Sequence, residues 1–201
     1  MHLVVGLGNP GERYARTRHN VAWAVLDELA VRHAAVESPR HATYRARRIA
    51  TDGRAVVLLQ PLTYMNASGD ALVAWREGNG REDALILVSD DVYLPLGMLR
   101  VRESGSAGGH RGLESIEAAI GGRDYARLRI GVGAAENSAA LREHVLEDIG
   151  PEEAPVLDEA VRRAADAVET WVAEGTLGAM NQYNRRVDPS AGQVDKEESE
   201  T

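Results

Sequence analysis

The chain contains no cysteine and no phenylalanine, and only one lysine, Lys196. Without cysteine there can be no disulfide and no thiolate metal site, which agrees with a cytosolic home. The missing phenylalanine and lysine, with arginine supplying nearly all positive charge, read as a genomic bias toward Ala, Gly and Arg, not as a functional signal. No apolar run is long enough to cross a bilayer. The first residues already read as a strand, so no signal peptide is expected. Three catalytic signatures are also missing. There is no G-x-x-x-x-G-K-[ST] phosphate loop, no G-x-S-x-G nucleophile elbow and no H-E-x-x-H metal spacing. A covalent acyl-enzyme and a metal-bound water are therefore both poorly supported, and no metal or cofactor is expected.

The 201 residues suit one domain with a sizeable core. The formal net charge of −8 argues weakly against a nucleic-acid partner. The tail, however, holds Asp188, Asp195, Glu197, Glu198 and Glu200 against Lys196, a net −4 on a polar segment expected to be disordered. Arg100, Arg102, Arg111, Arg123, Arg127 and Arg129 crowd one part of the chain. A local basic face on an acidic protein can still hold a phosphate backbone. The expected division is a domain over 1–186 and an acidic tail over 187–201.

Periodicity gives a coarse map. His2 to Leu7 reads as a buried strand. Apolar residues at 22, 25, 26, 29 and 30 give a helical stripe, with Asn20 placed to cap it. Strand-like runs at Tyr44–Ala50 and Ala55–Leu59 flank Thr51-Asp52-Gly53-Arg54, a hairpin signal. The first of these runs is expected to have one wet side. A helix over Met65 to Glu77 would bury Leu72, Val73 and Trp75, with Asn66 and Ser68 capping its first turn. Ala84 to Val88 is apolar on both sides, as a central strand is, and ends in Ser89-Asp90-Asp91. Met98 to Arg102 reads as a strand, Glu103 to Arg111 as a Gly-rich flexible loop, and Leu113 to Ile120 as a helix. Arg127 to Gly133 is a further strand, and helices are expected over Ala139–Ile149, Glu152–Ala173 and Leu177–Tyr183. The pattern predicts a single α/β domain, a mixed twisted sheet with helices on both faces.

The stretch from Val4 to Asn20, VVGLGNPGERYARTRHN, carries the densest chemistry. Gly6, Gly8 and Gly11 spell G-x-G-x-x-G, but Pro10 interrupts and the helix waits until after Thr17. The acidic partner expected about 20 residues on would be Asp27 or Glu28, both mid-helix, so the dinucleotide reading fails in context. His19 sits beside a helix N-terminus, whose positive end disfavours an imidazolium, so a neutral ring there can take a proton from water. Asp90, at a strand end, is the best carboxylate to orient it, and would raise its basicity in opposition to the helix end. Asn9 and Asn66 offer amide donors for a developing oxyanion. His110, in the Gly-rich loop, is the second histidine in a suggestive setting. His2, His33, His41 and His144 read as structural or surface residues.

GLGNPGERYARTRHN, QPLTYMNASG, LVSDDVYLPLG, SGSAGGHRGL and RLRIGVG, in this order and at this spacing, resemble the motifs of the bacterial-type peptidyl-tRNA hydrolase family. The resemblance spans roughly Leu3 to Asn184. It implies a single α/β domain acting as a cytoplasmic monomer. The implied reaction is hydrolysis of the ester joining a peptide to the 3′ end of tRNA, which recycles tRNA from prematurely released peptidyl-tRNA. By the same resemblance His19 is the base and Asp90 its supporting acid, while Asn9 distinguishes a blocked amino group from a free one. Tyr14, Tyr64 and Asn66 match positions that contact the tRNA 3′ end or the substrate main chain, and His110 matches a further site histidine. Arg100 and Arg102 resemble a basic pair that binds tRNA phosphate. Three positions depart from the family pattern. Ser89 stands for a histidine, Tyr93 for an acidic residue, and Arg111 for the asparagine of Gly-His-Asn-Gly. Arg111 either grips a phosphate or obstructs the site, and the second outcome would make the chain a non-catalytic tRNA-binding relative.

Overall fold

The computed structural model describes residues 1–133 and 141–184. In chain order its elements are β1 (His2–Gly6), α1 (Val21–Arg32), β2 (Val36–Glu37), β3 (Tyr44–Thr51), β4 (Arg54–Pro61), α2 (Ser68–Asn79), β5 (Ala84–Asp91), β6 (Leu99–Arg102), α3 (Arg111–Ile120), β7 (Ala126–Gly131), α4 (Leu141–His144) and α5 (Ala154–Tyr183). Single 3-10 turns at Arg18–Asn20 and Met65–Ala67 lead into α1 and α2.

The strands form one seven-stranded sheet in the order β2-β3-β4-β1-β5-β7-β6. β1 runs parallel to β4 and β5, and β5 parallel to β7. The edges are antiparallel, β2–β3–β4 on one side and β6 on β7 on the other. Strand alternation sends neighbouring side chains into two separate cores. Val4, Leu58, Ile86 and Val88 pack against α1 and α5 on one face. Leu3, Val5, Leu59, Leu85 and Leu87 pack with Leu72 and Trp75 of α2 and Leu113 and Ile116 of α3 on the other. Continuous apolar runs in β1, β4 and β5 are what a sheet covered on both sides requires, and burying each such side chain contributes roughly 1.5–3 kcal/mol.

The single mixed sheet with helices on both faces is the expected class, and the hairpin turn at Asp52-Gly53 is present, both residues with positive φ. Several details differ. β3 has no uniformly wet side, because Arg47 is buried against Asp27 of α1 (2.6 Å) while Arg45 and Arg48 are exposed. The short edge strand β2 has no counterpart among the expected elements, its backbone pairing with Arg47 and Arg48. Val73 points outward, 39 % exposed. Neither Asn66 nor Ser68 caps α2: Ser68 Oγ donates to the Met65 carbonyl (2.8 Å), and the free Gly69 amide is taken by Ser115 Oγ of α3 (2.9 Å). Asn20 does not cap α1 with its side chain either.

The helix expected over Ala139–Ile149 is only four residues long within the described part. The backbone beyond it bonds across to residues 16–19 instead, through Arg18 N to Glu147 O, His19 N to Val145 O and Ile149 N to Arg16 O. The two expected C-terminal helices run together as α5, broken at Gly175, whose φ of 78° is not helical. The acidic tail from 187 lies outside the described residues.

Candidate active site

β1 and β5 are adjacent and parallel, so their C-terminal ends open side by side, with the Leu7 amide bonded to the Val88 carbonyl (3.0 Å). Beyond the end of β1 the chain leads to α1 on one face of the sheet, while beyond β5 it passes through β6 before reaching α3 on the opposite face. Asp90, at the end of β5, lies between the two helix starts. Such a crevice outside the carboxyl edge of parallel strands is where open α/β sheets place their sites.

His19 occupies the 3-10 turn before α1, and its Nδ1 lies 2.7 Å from Asp90 Oδ1. His110 immediately precedes α3, and its Nε2 lies 3.0 Å from the same oxygen. An ionised carboxylate only accepts, so both nitrogens carry hydrogen. Nε2 of His19 is thereby left bare, and His19 lines an open cleft of about 300 Å³. The Asp90 side chain is 2 % exposed. Burial alone would push its pKa up, but the two imidazole rings that face it and the hydrogen bonds they donate outweigh it and hold the carboxyl far below its usual range. The two rings and the carboxylate place ligand atoms within 4.8 Å of one another, a spacing compatible with a metal ion. Those donors are committed, however. Asp90 Oδ1 accepts from both rings, and His110 Nδ1 accepts from the Gly112 and Leu113 amides (3.1 and 3.3 Å).

The turn bearing His19 is anchored by residues with no obvious signature in the sequence. Arg18 is buried, its guanidinium donating to the carbonyls of His144 and Asp148 (3.3 Å each) and to Glu153 (2.5 Å). Asn20 reaches back instead of capping: its Oδ1 accepts from the Asn9 amide (2.8 Å) and its Nδ2 donates to the Asn9 carbonyl (3.0 Å). Asn9 is 6 % exposed, and its own Oδ1 accepts from the Met65 amide (2.9 Å). That bond settles the amide orientation and leaves Nδ2 as a donor without a partner among the described residues. It also ties Asn9 to the segment with Tyr64 and Asn66, both exposed.

Of the expected site residues, His19, Asp90, His110 and Arg111 line the cleft, and Asn9, Tyr14, Tyr64, Asn66, Arg100 and Arg102 do not. Tyr14 is half-buried on the 3-10 turn Glu12–Tyr14, under the guanidinium of Arg13 at 4.5 Å. The cleft adds Asp91, which carried no expected role, and also takes in Tyr93 and, from the expected basic face, Arg127 and Arg129. In the β6–β7 ladder Arg100 stands opposite Arg129, and Arg102 opposite Arg127. Like charges directly opposite are destabilising, so four arginines in one block concentrate positive charge at a cost to folding. Asp91 partly offsets them through Arg129 (2.7 Å), and Arg127 donates to the Ser106 carbonyl. Burial lowers the basicity of Arg129, Asp91 opposes that, and Arg127 and Arg102 add to it. The strict alternation of Arg and apolar residues in both strands was the signal for this block. Of the other histidines, His33 bonds Glu169 (2.8 Å), His2 packs edge-on against Trp171, and His41 stacks on Tyr44.

Fold and site together define a single-domain α/β protein with a histidine–carboxylate pair at the carboxyl edge of a mixed sheet. The model of the peptidyl-tRNA hydrolase family matches residues 3–191. A peptidyl-tRNA hydrolase of Chloroflexus aggregans is 45 % identical over 186 residues, covering 92 % of this chain and 99 % of its own length. One from Roseiflexus castenholzii is 46 % identical over 186 residues, covering 92 % and 87 %. The crystal structure of peptidyl-tRNA hydrolase from Acinetobacter baumannii superposes with a TM-score of 0.84 at 33 % identity, covering 92 % of this chain and 94 % of that one. The chain belongs to the peptidyl-tRNA hydrolase family.

Proposed function

We propose that the protein hydrolyses the ester between a peptide and the 3′ end of tRNA, using His19 as general base. His19 Nε2 takes a proton from water as the water oxygen adds to the ester carbonyl. The bond to the ribose oxygen then breaks, and the same proton passes from the imidazolium to that oxygen. Asp90, accepting from Nδ1–H, fixes the tautomer and stabilises the imidazolium. Asn9, whose Oδ1 is taken by the Met65 amide, offers its Nδ2 hydrogens to the substrate. Arg100, Arg102, Arg127 and Arg129 hold tRNA phosphate by charge-assisted hydrogen bonds, and Tyr14, Tyr64 and Asn66 contact the tRNA end. No metal or cofactor takes part, the working unit is a monomer, and a tRNA substrate implies action in the cytoplasm.

The observation that carries this reading is the 2.7 Å contact of Asp90 with Nδ1 of His19, a residue that lines the cleft. Arg111 lies in that cleft and leaves the pair intact, which favours a working enzyme over a binding-only relative. The test is release of an N-acetylated amino acid from charged tRNA. General base catalysis supplies about 10²–10⁴-fold, so His19→Ala should lose about that much kcat/KM while still binding tRNA. Turnover by His19→Ala within threefold of the native protein would refute the assignment, and tRNA binding without cleavage, even in Arg111→Asn, would establish the binding-only reading.

A further inference from the structure

We infer that His110 is a positioning residue of fixed tautomer, a ring that spans from the first amides of α3 to Asp90 and moderates the carboxylate's hold on His19. Its Nδ1 accepts from the Gly112 and Leu113 amides, which can only donate, so that nitrogen is bare. The ring hydrogen must then sit on Nε2, which points at Asp90 Oδ1. A second proton on His110 would have to displace two helix amides and would face the positive end of α3. The geometry thus selects the Nε2–H tautomer of His110, with its one ring hydrogen directed at the Asp90 oxygen.

The ring has little room to turn. It is largely buried, its centroid is 5.1 Å from that of His19, and Gly112 packs so closely that a Cβ there would lie 3.1 Å from His110 Cε1 and 2.5 Å from Met65 Sδ. Both rings donate to one oxygen. Each donor weakens what that oxygen offers the other, so His110 lowers the stabilisation that Asp90 gives the His19 imidazolium. The other charged or titratable groups around the pair are Asp91 and Arg129, bonded to each other, Arg127 on the Ser106 carbonyl, Arg111 beside the ring, Tyr93 in the cleft wall, and His144 on the segment that receives the His19 amide. Among the described residues, only His19 and His110 are hydrogen-bonded to Asp90.

This inference rests on His19 being the base, and its test separates the two. Two substitutions divide the ring's functions. Asn places an oxygen where Nδ1 was, keeping the helix amides satisfied and losing the donor to Asp90. Gln places an amide where Nε2 was, keeping the donor and losing the cap. In His110→Asn the ring titration of His19, followed by NMR, and the acid limb of kcat/KM should both move up by about half to one pH unit, in a protein that circular dichroism shows to be folded. In His110→Gln both should stay with the native protein while the thermal midpoint falls. In the unmodified protein, nitrogen chemical shifts of His110 should show hydrogen on Nε2 and none on Nδ1. Hydrogen on Nδ1, or a His19 titration that shifts equally in both variants or in neither, overturns the inference. A His19 titration that moves in His110→Asn without the acid limb following supports the role of His110 and removes His19 as the base.

Discussion

Replacing Asp90 by Asn removes one charge and almost no volume. The Asn oxygen can still accept from His19 Nδ1 and His110 Nε2, now 2.7 and 3.0 Å from the carboxylate. What is lost is the attraction between a buried anion and the imidazolium that forms as water is deprotonated. Two unit charges about 4 Å apart interact by about 4 kcal/mol at an effective dielectric near 20, and a charge-assisted hydrogen bond exceeds a neutral one by about 1–2 kcal/mol. A loss of about 2–4 kcal/mol in the transition state corresponds to about 30- to 1,000-fold in kcat/KM. The imidazolium is also less stable in the ground state, so the acid limb of the pH profile should move to lower pH. The assay is initial-rate hydrolysis of N-acetyl-aminoacyl-tRNA from pH 5 to 9, with circular dichroism to verify folding. A folded Asp90→Asn protein within threefold of native kcat/KM, or with an acid limb shifted upward, would refute the coupling. Stability has its own sign. The folded-state pKa of Asp90 is depressed, so its contribution is present above the ordinary carboxylate range near pH 4 and drains away as pH falls further. The stability difference between native protein and Asp90→Asn should shrink in that acid window.

Three further outcomes test the scaffold. Arg18→Met removes the buried guanidinium under the His19 turn and leaves three carbonyls and Glu153 without their donor; it should destabilise by about 2–4 kcal/mol in urea unfolding and lower kcat more than it raises KM. Gly112→Ala pushes a methyl against Met65 and His110 and should cost about 1–3 kcal/mol of stability, read as a lower urea midpoint. Arg102→Ala, at an exposed position, should weaken tRNA binding and reduce the slope of log K against log salt by about one, with a near-native thermal midpoint.

Much of this molecule was legible in the chain because the signals were local. The apolar runs of β1, β4 and β5, the Asp-Gly hairpin and the helical stripes each follow from a period or a turn. The His19–Asp90 partnership was legible because one residue precedes a helix and the other ends a central strand. What escaped is set by contacts between distant segments. Asn20 looks like a cap but is claimed by the backbone of Asn9. Ser115 caps α2 from another helix. Arg47 sits on a seemingly wet face because Asp27 of α1 meets it. The stretch after α4 fails to continue as helix because residues 16–19 take its hydrogen bonds. A propensity reading has no access to such competition, since it weighs each window against solvent and not against its eventual neighbours.

The seating of the His19 turn on residues 145–153 has a consequence for how the enzyme comes into being. Its three ionisable players all lie within the first 110 residues, yet the platform beneath one of them is synthesised much later. A nascent chain would carry the chemical groups long before it could aim them, so competence arrives with near-complete assembly and not by degrees. Urea should accordingly abolish turnover and helical signal at one midpoint, and loss of turnover well before the helices melt would show that the platform is dispensable.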